Sequence, residues 1–229
     1  MKKFLVMGGV FGGCALAFLL SYLYVSRPEA VQPNPAKGPP IDIAAVRAKA
    51  ERGDAQAEAQ LGDAYANGVG VTNNYAEAAK WYRLAADQTN AAGQYGLGQL
   101  YEAGRGVPKD LTQALKLYRQ AAEEGLPGAQ YTLGFMNEAG RGLPVNQAEA
   151  AKWYLKAAEQ GDSLAQYDIG QRYELGVGVS VDKIEALKWF ILAAKQGQLD
   201  SVARRDKLKA ALTRSEITTA EHRAAAFSP

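Results

Sequence analysis

In 229 residues the chain has one histidine, His222, and one cysteine, Cys14. A lone cysteine builds no disulfide framework. The histidine lies in the terminal segment and the cysteine in an apolar run near the start. That inventory removes Cys–His and Ser–His–Asp constellations and histidine-rich metal sites. Charge of one sign is also scarce. The net charge is +2, and Lys2, Lys3, Arg27 and Lys37 against Glu29 put +3 of it in the first forty residues, leaving −1 for the rest. A body so near neutral lacks the electrostatic footprint of a nucleic-acid binder. Arg204, Arg205, Lys207 and Lys209 make the last segment locally basic, but Asp206 interrupts them and they read as a solvated helix face. The Gly-Arg-Gly steps at 104–106 and 140–142 lack the lysine and the preceding strand of a phosphate loop.

What is present begins with an uncharged run from Phe4 to Val25, preceded by Lys2 and Lys3. As a helix it would measure about 33 Å, enough to cross a bilayer core. Positive charge before the run places the N-terminus in the cytoplasm and the remainder across the membrane. Residues 1–26 read as a single-pass signal anchor, with a cleaved signal as the alternative. Phe11-Gly12-Gly13-Cys14 loosely resembles a lipoprotein processing site, but the apolar Ala15–Leu20 continuation favours a cysteine inside a membrane helix. Residues 27–40 hold five of the nine prolines and read as a semi-rigid linker.

From residue 57 a 36-residue unit runs four times in strict register. Leu61-Gly62, Leu97-Gly98, Leu133-Gly134 and Ile169-Gly170 mark one phase. The pairs Gly68/Gly70, Gly104/Gly106, Gly140/Gly142 and Gly176/Gly178 mark a second, and Ala78, Ala114, Ala150 and Ala186 a third. A fixed period of this length is the signature of a stacked repeat array. Within a unit, Ala57, Leu61, Ala64 and Tyr65 recur at helical spacing, and Asn67-Gly68 ends that helix. A second helix opens at Asn74, Asp110, Asn146 and Asp182. Each precedes by three residues Glu77, Gln113, Glu149 or Glu185, the pattern of a capping box. The aromatic steps Trp81-Tyr82, Leu117-Tyr118, Trp153-Tyr154 and Trp189-Phe190 fall where small residues of neighbouring helices can receive them, so they belong to the scaffold.

These residues resemble the SEL-one-like repeat family, helical-hairpin relatives of the tetratricopeptide repeats, over residues 57–200. The resemblance implies an all-α, right-handed solenoid of antiparallel helix pairs. Residues 41–56 are expected to form an N-terminal capping helix, and residues 201–229 C-terminal capping helices, with Thr213 and Glu216 as a further capping box. Three positions depart from the family pattern: Asn137 for tyrosine, Thr89-Asn90 for glycine and Leu117 for tryptophan.

The resemblance also implies binding on a concave surface built from first-helix side chains. Tyr95, Tyr131 and Tyr167 form a 36-spaced row there, with Ala59 in the first copy. Glu102, Glu138 and Glu174 form an acidic row, and Asp63, Gln99, Phe135 and Gln171 occupy a neighbouring phase. Such rows offer rigid aromatic area and hydrogen-bond acceptors to a protein partner. No cofactor is expected. The leading reading is an anchored adaptor that assembles or regulates an envelope complex, with its repeats in the periplasm. The second is a periplasmic immunity protein that neutralises a secretion-system toxin. A cell-wall hydrolase comes third, because no two carboxylates stand out from the many on helix faces.

Overall fold

The computed structural model describes residues 42–229. The expected anchor at 4–25, Cys14 and the linker at 27–40 lie outside the described residues. Among those described, no helix is long and apolar enough to cross a membrane.

Each 36-residue period folds into two helices of 13 residues. In chain order the helices are α1 (Ile43–Ala50), α2 (Ala55–Asn67), α3 (Tyr75–Asp87), α4 (Ala91–Ala103), α5 (Leu111–Glu123), α6 (Pro127–Ala139), α7 (Gln147–Glu159), α8 (Ser163–Leu175), α9 (Lys183–Lys195), α10 (Leu199–Ala211) and α11 (Arg214–Ala225). The pairs α2/α3, α4/α5, α6/α7 and α8/α9 stack one upon the next as an all-helical solenoid. The segment read as one capping helix to residue 56 is divided. α1 stops at Ala50, and Ala55 and Gln56 already open the first repeat behind the Asp54 cap.

Close approach within a pair depends on the marker glycines. A Cβ on Gly62, Gly98, Gly134 or Gly170 would lie 2.5, 2.8, 2.7 or 2.8 Å from the ring of Tyr82, Tyr118, Tyr154 or Phe190. The second-helix ring therefore rests on bare first-helix backbone, and these four rings are buried. The alanines Ala78, Ala114, Ala150 and Ala186, each 0% exposed, let the same helix close in beside it.

Neighbouring units meet through the second glycine of each turn. Gly106 and Gly178 abut the backbone of Tyr75 and Gln147, the first residues of the preceding unit's second helix, and Gly142 packs on Leu111 in the same place. Both φ values near +70° and the lack of room call for glycine there. A buried amide row adds polar ties. Gln130 and Gln166 donate to the carbonyls of Ala122 and Ala158, the ends of the preceding second helices, at 3.1 and 3.2 Å. Gln160 and Gln196 in turn donate to Gln130 and Gln166 at 2.8 and 3.0 Å.

The capping residues Asn74, Asp110, Asn146 and Asp182 accept the expected backbone N–H groups. The reciprocal arm differs from the expectation. Glu77, Glu149 and Glu185 turn instead to Lys80, Lys152 and Lys188 one helical turn on. The full capping box forms at Thr213–Glu216, where α11 begins. There Ala220, Ala224, Ile217 and Phe227 close the end of the core, with Phe227 edge-on to Trp189 at 5.7 Å between centroids.

Two of the off-pattern sites have plain local explanations. Asn137, only 7% exposed, donates to the Leu133 carbonyl at 2.8 Å. Its backbone carbonyl receives the Asn146 N–H, as Tyr65, Tyr101 and Tyr173 receive those of Asn74, Asp110 and Asp182. Leu117, smaller than the tryptophan of the other copies, borders an open cleft of about 250 Å³ lined also by Arg83, Leu97, Tyr101, Gln113 and Lys116. Thr89 is strained. Its φ is +59°, where Gly53, Gly125, Gly161 and Gly197 stand at the equivalent turns.

Two stability changes of opposite sign are expected from urea unfolding. Gly134→Ala drives a methyl into the Tyr154 ring and should cost about 2–3 kcal/mol. Thr89→Gly relieves a β-branched residue in the left-handed region and should add about 1 kcal/mol, net of the entropy glycine gives the unfolded chain.

Candidate partner-binding site

The candidate face is the row of first helices α2, α4, α6 and α8. Its tyrosines are less free than the sequence suggests. Tyr95, Tyr131 and Tyr167 are half-buried and tilt against the second-helix rings of Tyr118, Tyr154 and Phe190 at 5.5, 5.4 and 5.9 Å. Each tyrosine lies beside the residue 37 positions on, in the next unit. Tyr95 meets the Thr132 hydroxyl at 3.3 Å, while Asp168 and Arg204, at the corresponding positions, lie near Tyr131 and Tyr167. The row is thus an inter-repeat tie that leaves part of each ring to solvent.

The acidic row is also engaged within the scaffold. Glu102 and Glu138 accept the hydroxyls of Tyr118 and Tyr154 at 2.6 and 2.8 Å. Burial, together with these carboxylates, pushes both phenols well above their ordinary range, so they stay protonated donors. In the first repeat Ala66 stands at this phase, and Asp63, one turn earlier, accepts from Tyr82 at 2.6 Å. In the fourth, Phe190 has no hydroxyl, and Glu174 takes Arg204 at 2.8 Å and Lys207 at 3.8 Å. Arg204 is therefore an ion-pair partner rather than part of a purely solvated face. Of the neighbouring phase, Asp63 and Gln99 are exposed, while Phe135 and Gln171 are half-buried.

Residues that sequence reasoning passed over complete the site. Asp168 follows the tyrosine row by one position, a phase occupied by Gly96, Thr132 and Arg204 in other units. Burial, reinforced by Glu138, raises its carboxyl to about 7, against the opposing pull of the Tyr131 hydroxyl and Arg172. Arg172, buried, bonds Glu138 at 2.9 Å and Gln147 at 2.9 Å, and its guanidinium lies 5.0 Å above the Tyr154 ring. The signal was available as a break in a 36-residue phase, since glycine, threonine, aspartate and arginine share no chemistry.

A solenoid of four helix pairs presents its half-exposed first-helix polar and aromatic side chains as one continuous surface. The chain belongs to the Sel1 repeat family, which matches at residues 55–90, 91–126, 127–162 and 163–198. The repeats begin two residues before the boundary read from the sequence. Among solved structures, the chain is similar to a protective antigen of uropathogenic Escherichia coli displaying an SLR fold. That pair shares 40% identity, covering 70% of this chain and 34% of the other, with a TM-score of 0.65. A Sel1 repeat protein from Oxalobacter formigenes matches at 32% identity, over 72% and 48% of the two chains, with a TM-score of 0.70. The chain thus spans about a third to a half of these relatives. An immunity protein from Pseudomonas aeruginosa shares the fold at 22% identity, over 82% and 68%, with a TM-score of 0.50. No curated protein matches. Sel1 repeats mediate protein–protein interaction, and scaffolds of this family are typically non-catalytic.

The raised Asp168 carboxyl predicts a pH signature. Between about pH 4 and 7 the folded chain holds a proton there that the unfolded chain has released, so this group's contribution to stability falls as pH rises through that window. Asp168→Asn should remove that slope. At pH 8 the variant should unfold about 1–2 kcal/mol later than the wild type, the carboxylate being partly reached by water. Paired urea titrations at pH 5 and 8 check it.

Proposed function

We propose that the protein is a membrane-anchored, extracytoplasmic adaptor that binds a partner protein on the first-helix face and serves an assembly or regulatory role in the cell envelope. The observation that carries the reading is the tyrosine row. Three rings tilted against buried neighbours, with Tyr95 also bonded into the next unit, give a preorganised surface that loses little entropy on contact. Exposed Gln99 and half-exposed Phe135 and Gln171 alternate polar and apolar contacts along it. The apolar run at 4–25 behind Lys2 and Lys3 supports an inner-membrane, single-pass topology with the repeats in the periplasm. The immunity-protein reading remains the second outcome of the test, since the partner it requires is a toxin.

Photo-crosslinkers at Gln99 and Gln171 of the anchored chain should capture one and the same protein. Crosslinkers at Lys116 and Arg119, exposed on α5, should not. Gln99→Ala with Gln171→Ala should weaken that complex about fivefold or more while the unfolding midpoint stays put. Capture from α5 alone would overturn the assignment of the face. An alkaline phosphatase fused after residue 229 should be active, and inactivity would overturn the topology.

A further inference from the structure

The second repeat departs from the other three at two positions one helical turn apart on α5, and both departures border the same cleft. Leu117 stands where Trp81, Trp153 and Trp189 stand, and Gln113 stands where Glu77, Glu149 and Glu185 stand. The cleft of about 250 Å³ has Ala86 of α3 and Leu97 of α4 in its apolar wall. Their counterparts are Ala50 and Leu61, Ala122 and Leu133, and Ala158 and Ile169. Those residues belong to the buried clusters against which Trp81 and Trp153 pack, and in which Trp189 is enclosed. Three units therefore show that this seat takes an indole. In the second it holds the smaller leucine, and the volume stands open.

The second departure frees a cation at the same place. Lys80, Lys152 and Lys188 pair with the glutamates three residues before them at 2.5, 3.1 and 2.6 Å. Lys116 has their phase and lines the cleft, but with Gln113 in place of glutamate it has no carboxylate partner among the described residues. Arg83, from α3, donates to the neutral Tyr101 hydroxyl at 3.0 Å and likewise pairs with no carboxylate among the described residues. Asp87 is the one carboxylate of the lining, so the cleft carries a net charge of +1 from Arg83 and Lys116 against it. The fourth repeat shows what a lysine of this phase can hold. The Lys188 ammonium lies 3.9 Å from the Trp189 ring centroid and 2.6 Å from Glu185, gripping an indole and a carboxylate together. The second repeat keeps that lysine and lacks both of its ligands.

We propose that this cleft is a second binding site, which takes an aromatic side chain from an acidic peptide segment. The ring fills the seat of the missing indole on Ala86, Leu97 and Leu117, and a carboxylate beside it in the segment pairs with Lys116 and Arg83. A cleft of this size admits one side chain rather than a larger ligand. Arg83, Gln113 and Lys116 are exposed, so the segment's backbone can run on through solvent past the mouth. The site is independent of the first-helix face, and its segment belongs to a different partner from the protein bound there.

The probe is a dye-labelled heptapeptide with a tryptophan between aspartate and glutamate, titrated into the full-length chain in mild detergent and followed by fluorescence anisotropy. Replacing its tryptophan by alanine, or its two acids by their amides, should each weaken binding about tenfold. Leu117→Trp closes the seat with the chain's own indole. It should abolish binding while the urea midpoint holds or rises. Gln113→Glu restores the pair to Lys116 found in the other units, and should weaken binding about threefold by engaging that cation. No binding by the wild type, equal binding of the alanine or amide peptide, or unchanged affinity in either variant would overturn the proposal. A lowered midpoint in Leu117→Trp would overturn it too, because the seat would then not fit an indole.

Discussion

An aromatic ring laid on bare helix backbone sets the dimensions of this protein. Tyr82, Tyr118, Tyr154 and Phe190 each cover a glycine of the partner helix at distances no Cβ would tolerate. The ring fills the volume a side chain would have taken, so the pair closes without a void. Helix length, turn length and cap position then follow, because the ring and the glycine must meet at the same height in every unit. The glycine at that phase is required by space and not by backbone conformation, which separates it from the turn glycines.

The same rings connect the scaffold to the first-helix face. In the second and third repeats the tyrosine hydroxyl ends on a glutamate, and the glutamate ends on an arginine of the following unit. Packing within one repeat is thereby tied electrostatically to the next. Where one member is missing, another takes its place. Asp63 supplies the acceptor that Ala66 lacks, and Arg204 occupies the glutamate that Phe190 leaves free. These are compensations across one helical turn or one unit, and they preserve the satisfaction of buried polar groups rather than residue identity.

Periodicity made the architecture legible. The helices, their caps and the scaffold role of Trp189, 1% exposed, follow from spacing alone, because identical positions in a repeat meet identical surroundings. The site was legible in part. Asp63, Glu102, Glu138 and Glu174 fall on first helices, but the arginines that pair with the three glutamates come from the following units and other phases, and those distances are not encoded in a single period. Asp168 and Arg172 went unnoticed because each is unlike its counterparts. The capping arms of Glu77, Glu149 and Glu185 were misread for a different reason. A lysine three residues on competes for the same carboxylate, and a charged donor outbids a backbone N–H.

The seat of each turn glycine on the preceding unit has a consequence for how such a chain can change. Gly106 and Gly178 bear on main chain, which every residue type presents alike. At those two joints the register between units is thus indifferent to the side chains exposed nearby. Copying a unit joined in this way would reproduce the joint unaltered, and recoding its outward residues would leave the spacing of their neighbours intact. The molecule resembles a rule with fixed graduations, on which the markings can be rewritten one interval at a time.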